Sequence, residues 1–165
     1  MDHSTRTPHQ QMLHDLGATY NTLDATAFAN WLDEDSVWES QAVMSAMTGK
    51  TTIMEYLDGK LATIRGISDW KRPLAVLASI NGQACLAIYQ GPVFVGDRHV
   101  PVGLFMVQND NDTLKRVDVC VLPPPETAAV STDYPGLTAD EAANRLARIA
   151  SPPVALNGGN SERAR

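Results

Sequence analysis

Tyr20, Glu39 and Ser40 are polar side chains whose types and positions could do chemistry together. Tyr20 shares the spacing of Leu13, Leu16 and Leu23, threes and fours that put all of them on one helix face. An inward tyrosine needs a partner for its hydroxyl, either within the core or on a ligand, where it could donate to a developing oxyanion. Ser36 to Gln41 alternates as a strand, with Ser36, Trp38 and Ser40 on one face and Val37, Glu39 and Gln41 on the other. With the Trp38 face inward, Ser40 could orient a ligand and Glu39 points away. A single bulge before Glu39 would instead swing its carboxylate inside, where desolvation would raise its pKa and suit it to general acid/base work near neutrality. Both orientations of Glu39 stay open.

Other chemistries are poorly served. Thr48-Gly49-Lys50-Thr51 suggests a phosphate loop, but the Walker spacing needs glycine where Met44 stands, so the backbone nest is missing and a turn into a helix is the better reading. His3, His9, His14 and His99 are scattered without metal-ligand spacing, so no metal is expected. His99 follows Gly96-Asp97-Arg98 and reads as a surface histidine. Cys85 and Cys120 lie in apolar runs and read as buried, reduced thiols. A net charge of −6 argues against a nucleic-acid groove. No run is long and apolar enough to span a bilayer, and MDHSTRTPHQ has no apolar leader core, so the cytoplasm is the expected compartment.

The elements that must position these groups follow from local chemistry. At 165 residues and 44% hydrophobic, the chain can build one core. Thr7-Pro8-His9-Gln10 opens a first helix. Asp24 caps a second, with Phe28, Trp31 and Leu32 inside, ended by Asp33-Glu34-Asp35. Residues 42–47 read as a short strand or a loop over a pocket. A third helix follows Gly49-Lys50, with a stripe of Ile53, Leu57, Leu61 and Ile64, and ends at Gly66. Asn81-Gly82 between two apolar runs predicts a type I′ hairpin from Leu74 to Gln90. A second hairpin joins Val100–Gln108 to Leu114–Leu122 through Asn109-Asp110-Asn111-Asp112. Pro123-Pro124-Pro125 ends the sheet. Thr138 and Glu141 form a capping box for a C-terminal helix, and 151–165 reads as a disordered tail.

The order of these elements, and the pattern LDATAFANWLDEDSVWES…GKTTIMEYL, resembles the NTF2-like superfamily, particularly its SnoaL-like and ketosteroid-isomerase-like members, over about residues 7–122. The resemblance implies an α+β cone: a curved, mostly antiparallel sheet wrapped around N-terminal helices, here with a C-terminal extension at 123–150. Aligned with ketosteroid isomerases, the chain has Ser40, beside Glu39, where those enzymes carry a general-base aspartate, and Leu104 near their oxyanion-hole aspartic acid. Neither acid is matched, and steroid isomerisation is not assigned.

The same alignment implies which strand positions look into the cone. It puts Trp38, Ser40, Cys85, Ala87, Tyr89, Leu104, Met106, Val117, Val119 and Val121 inside, around an apolar cavity, with Asp118 on the convex side. Leu86, Ile88, Phe105 and Val107 would then face outward, too apolar to stay wet. Either a homodimer through the outer sheet face or the C-terminal helix would cover them. The implied function is a cofactor-independent proton transfer, as in cyclisation, isomerisation or dehydration, on a small apolar molecule. Tyr20 would be the oxyanion donor, Ser40 would orient the substrate, and Glu39, if inward, would shuttle the proton. A non-catalytic ligand-binding or dimerisation module with the same pocket is the alternative, and an accessory protein docking through its C-terminal helix is a third reading.

Overall fold

Thr7 starts helix α1 (Pro8–Thr22) as its sequence dictates. Its hydroxyl accepts from the Gln10 N–H at 3.1 Å, and the Gln10 side chain accepts from the Thr7 N–H at 2.9 Å. This computed structural model describes residues 5–41, 45–120 and 128–153. Helix α2 (Thr26–Ala29) is a single turn, shorter than the sequence suggests. Asp24 serves it as an Asx turn, accepting from the Thr26 N–H at 2.9 Å and hydroxyl at 2.6 Å. Phe28 and Leu32 are buried as expected, and the half-buried Trp31 donates its indole N–H to Asp15 at 2.8 Å.

Strand β1 (Val37–Ser40) and the short β2 (Met47–Thr48) precede helix α3 (Lys50–Arg65), which Gly49 enters at φ +99°. Gly66 ends α3 in a right-handed conformation, so its positive-φ freedom is not used there. Strands β3 (Leu74–Ile80) and β4 (Gln83–Tyr89) pair across the predicted turn, with Asn81 at φ 53° and Gly82 at 80°. A small separate ribbon, β5 (Phe94–Val95) with β6 (Arg98–His99), had no counterpart in the sequence reading. The second predicted hairpin is β7 (Gly103–Asp110) with β8 (Thr113–Cys120), tighter than expected and turning at Asn111-Asp112. The expected continuation through Val121 to Pro125 lies outside the described residues. Strand β9 (Ala129–Val130) and helix α4 (Ala139–Ala150) complete the order, α4 starting at the Thr138–Glu141 capping box. Most of the expected tail, from residue 154, also lies outside the described residues.

The strands form one seven-stranded sheet, β2-β1-β8-β7-β4-β3-β9, in which β1 and β8 run parallel and the other described pairs are antiparallel. Helices α1, α2 and α3 cover its inner face. Met12, Leu13, Leu16, Tyr20, Phe28, Ile53, Leu57 and Leu61 pack there against Trp38, Ala75, Leu86, Ile88, Phe105, Val107 and Val117. Gly17 permits this approach, because a Cβ there would lie 2.8 Å from Pro135 and 2.9 Å from Leu86.

The outer face carries a second apolar layer of Leu74, Val76, Cys85, Ala87, Tyr89 and Leu104, covered by Tyr134, Leu137, Leu146 and Ile149. This reverses the expected faces of β4 and β7. Cys85, Ala87, Tyr89, Leu104 and Met106 point away from the helices of the cone, whereas Leu86, Ile88, Phe105 and Val107 point into it. Because side chains alternate with period two, a one-residue error in phase exchanges every inner residue for an outer one. Here α4 makes both faces apolar, so hydropathy could not reveal the error. The four residues expected to form an outer dimer face are therefore core. Both cysteines are free, and burial pushes the Cys85 thiol up to about 11.

The end of α1 meets the segment leading into α4 beside β3. The buried Asn21 side chain donates to the carbonyls of Ala75 and Pro135, both at 2.9 Å, and accepts from the Ala75 N–H at 2.8 Å. Arg145 of α4 donates to the carbonyls of Asn21 and Pro73, both at 3.2 Å.

Candidate ligand-binding site

The inner layer does not fill the cone. A cavity of about 590 Å³ remains between α1, α3 and strands β1, β4, β7 and β8, within the size range of small-molecule pockets. Ile88, Val102, Phe105 and Val119 supply apolar wall, with Pro73 and Gly103 beside them. Tyr20, Trp38, Ser40, Tyr56, Lys60 and Gln90 bring polar groups. A second concavity of about 530 Å³ lies on the outer face over Glu39, Arg116 and Asp118, where the two carboxylates share the one guanidinium.

Four of the predicted residues meet in the inner cavity. Tyr20 comes from α1, Trp38 and Ser40 from β1, and Val119 from β8, which sits opposite Ser40 in the parallel register. Tyr20 is buried, and its ring stands edge-on to Phe105 with centroids 5.3 Å apart. Burial, and then the neighbouring Tyr56, hold its pKa far above the ordinary tyrosine value, so the hydroxyl is a neutral donor. Trp38 is 1% exposed and wedged between Phe28, Tyr56 and Phe105 at 6.4, 5.9 and 5.9 Å. Its indole N–H is buried without a hydrogen-bond partner among the described residues, a costly arrangement that a ligand or water acceptor would relieve.

The remaining predictions fall elsewhere. Val117 belongs to the same inner core without lining the cavity. Cys85, Ala87, Tyr89, Leu104 and Met106 belong to the outer layer, for the reason of phase given above, and line none of it. Glu39 obeys simple alternation and points outward. No bulge precedes it, because β1 runs in unbroken register with β8 from Val37 to Ser40. Its carboxylate pairs with Arg116, which also donates its Nε–H to both carboxylate oxygens of Asp118 at 3.0 Å. Asp118 and then Glu39 hold the guanidinium pKa up, so this cluster is an ion-paired strand surface in which two carboxylates share one guanidinium, rather than a proton shuttle. His99 is half-buried rather than a surface residue, between Tyr89 and Phe94 at 4.8 and 5.1 Å, outside the cavity.

Sequence reasoning missed Tyr56 and Lys60. They stand at i and i+4 on α3, each immediately before a residue of the buried stripe, Leu57 and Leu61. That placement on the flank of the apolar face, where side chains reach the edge of what the helix covers, was the available signal. Burial raises the Tyr56 pKa as well. The polar lining thus consists of hydroxyls, an indole N–H, an amide and one ammonium, and the described lining includes no carboxylate or imidazole. Such a wall can hold and polarise a carbonyl oxygen.

No protein-family model matches the chain and no curated protein matches it. Among solved structures, a de novo designed protein with a curved β-sheet is similar at a TM-score of 0.50 and 12% identity, over 73% of this chain and 89% of that one. A steroid delta-isomerase from Pseudomonas aeruginosa is similar at 0.48 and 17%, over 86% and 93%. An NTF2-like protein of unknown function from Cytophaga hutchinsonii is similar at 0.48 and 13%, over 68% and 97%. These likenesses concern the fold alone. The architecture is the one the sequence resemblance implies, α+β with a mostly antiparallel sheet packed on N-terminal helices.

Proposed function

We propose that this protein binds a small, mostly apolar molecule bearing a hydrogen-bond acceptor, held in the inner cavity with that acceptor near Tyr20. The observation that carries this reading is the character of the lining: apolar walls, several donors, and no acid or imidazole among the described residues. Proton transfer needs a positioned base, and the carboxylate expected to supply it, Glu39, is paired with Arg116 outside the cone. Binding therefore ranks above turnover. Catalysis by oxyanion stabilisation is the second reading, favoured by the burial of Tyr20, whose hydroxyl stays protonated and would meet developing charge without reorganisation.

The test compares 2-acetylnaphthalene with 2-ethylnaphthalene, which differ in the carbonyl acceptor. The ketone is expected to bind about fivefold tighter, and Tyr20→Phe to erase most of that difference, since a neutral hydrogen bond contributes about 1 kcal/mol net. The preference should stay level from about pH 6 to about pH 9, because burial moves Tyr20 away from that range rather than into it. Equal affinity for the two compounds in the wild type would count against Tyr20 as the acceptor's partner. Turnover of an activated ketone, lost in Tyr20→Phe, would instead promote the catalytic reading.

A further inference from the structure

We propose that the cavity selects amphipathic anions, with Lys60 receiving the charged head while the apolar body lies against Ile88, Phe105 and Val119. This rests on the binding reading above and names the ligand class. Lys60 is the only charged residue among the described residues lining the cavity, and it is exposed at the rim. It enters no ion pair among the described residues, although the chain carries six more acidic than basic groups. Lys50, Arg98 and Lys115 likewise enter no ion pair among the described residues, so what singles Lys60 out is its place on the cavity. Arg116 is taken up by Glu39 and Asp118, Arg148 by Asp69, and Arg145 and Arg72 by backbone carbonyls.

The position of Lys60 on α3 gives its charge a direction. Tyr56, one helical turn earlier, packs on Trp38, so the face that carries Lys60 continues the cavity wall outward. Ammonium at that point meets a ligand's head where solvent begins, so an anionic head keeps part of its hydration while the body is desolvated. A neutral ligand gains at most a hydrogen bond from Lys60, and a cationic one is repelled. Tyr20, deeper inside, remains available to a second acceptor on the apolar body.

The probes are 8-anilino-1-naphthalenesulfonate and N-phenyl-1-naphthylamine, which share an aromatic body and differ in the sulfonate. Each is titrated by fluorescence into the wild-type chain, Lys60→Gln and Lys60→Glu, with circular dichroism confirming that the variants fold. The readout is the ratio of the two affinities. Lys60→Gln is expected to lower the preference for the sulfonate roughly fivefold to tenfold, Lys60→Glu to lower it further, and added salt to shrink the wild-type preference. An unchanged ratio in both variants, with both probes still bound, would overturn the anion proposal and leave the cavity reading standing. Failure of N-phenyl-1-naphthylamine to bind the wild type would overturn the cavity reading and this proposal with it.

Discussion

Phe105→Asp is expected to unfold the protein rather than to change its state of association. Phe105 is 6% exposed and sits on the inner face of β7, its ring set against Tyr20 and Trp38 and opposite Val119 and Leu86 in register. Losing the aromatic ring from such a position costs about 3–5 kcal/mol. Placing an unpaired carboxylate there adds a desolvation penalty of several kcal/mol. Together these rival the roughly 5–15 kcal/mol that holds an ordinary domain. Circular dichroism and denaturant titration would report the loss. Met106→Asp, one residue along on the outer face and partly exposed, should cost much less. If Phe105→Asp stayed folded and only altered sizing behaviour, the face assignment of the whole sheet would be wrong.

Asn21→Ala carries the second large effect. One side chain satisfies three buried backbone groups, on β3 and at Pro135, and so ties the end of α1 to the segment that leads into α4. Removing it strands one N–H and two carbonyls at about 1–3 kcal/mol each, with partial relief from water, for an expected loss of about 3–5 kcal/mol. Asn21→Asp discriminates the cause: it keeps the acceptor for the Ala75 N–H but sets a carboxylate against two carbonyl oxygens. Its loss should therefore be at least as large as that of the alanine variant, read from denaturant midpoints. Two near-neutral variants would show that the Pro135 segment does not depend on this clasp.

Where a feature depends on local chemistry, the chain could be read directly. Both capping boxes and the Asn81-Gly82 hairpin follow from neighbouring residues alone, and each is observed. The phase of β4 and β7 depends on what covers the far side of the sheet, and α4 starts 50 residues after β4 ends and 29 after β7 ends. With Leu86 and Ile88 apolar on one face and Cys85, Ala87 and Tyr89 apolar on the other, alternation contained no sign. The alignment supplied the wrong phase. Four of the twelve described lining residues were legible: Tyr20 from helical spacing, and Trp38, Ser40 and Val119 from the strand faces that the resemblance implied. Tyr56 and Lys60 left only their place on the flank of the α3 stripe as a signal, and Phe105 was hidden by the reversed phase of β7. For Glu39, simple alternation was sufficient and the bulge was unnecessary.

The most direct test of the cavity as a ligand site is an NMR titration of nitrogen-labelled protein with N-phenyl-1-naphthylamine, followed at the three tryptophan indole N–H signals. Trp31 is bound to Asp15, and Trp70 lies beside Lys71, away from the lining. Trp38 lines the cavity with an indole N–H that has no partner among the described residues. The expected result is a saturable shift of the Trp38 signal, assigned by Trp38→Phe, with the other two nearly stationary. A Trp38 signal that stays in place at saturating probe, while either of the others moves, would contradict the account.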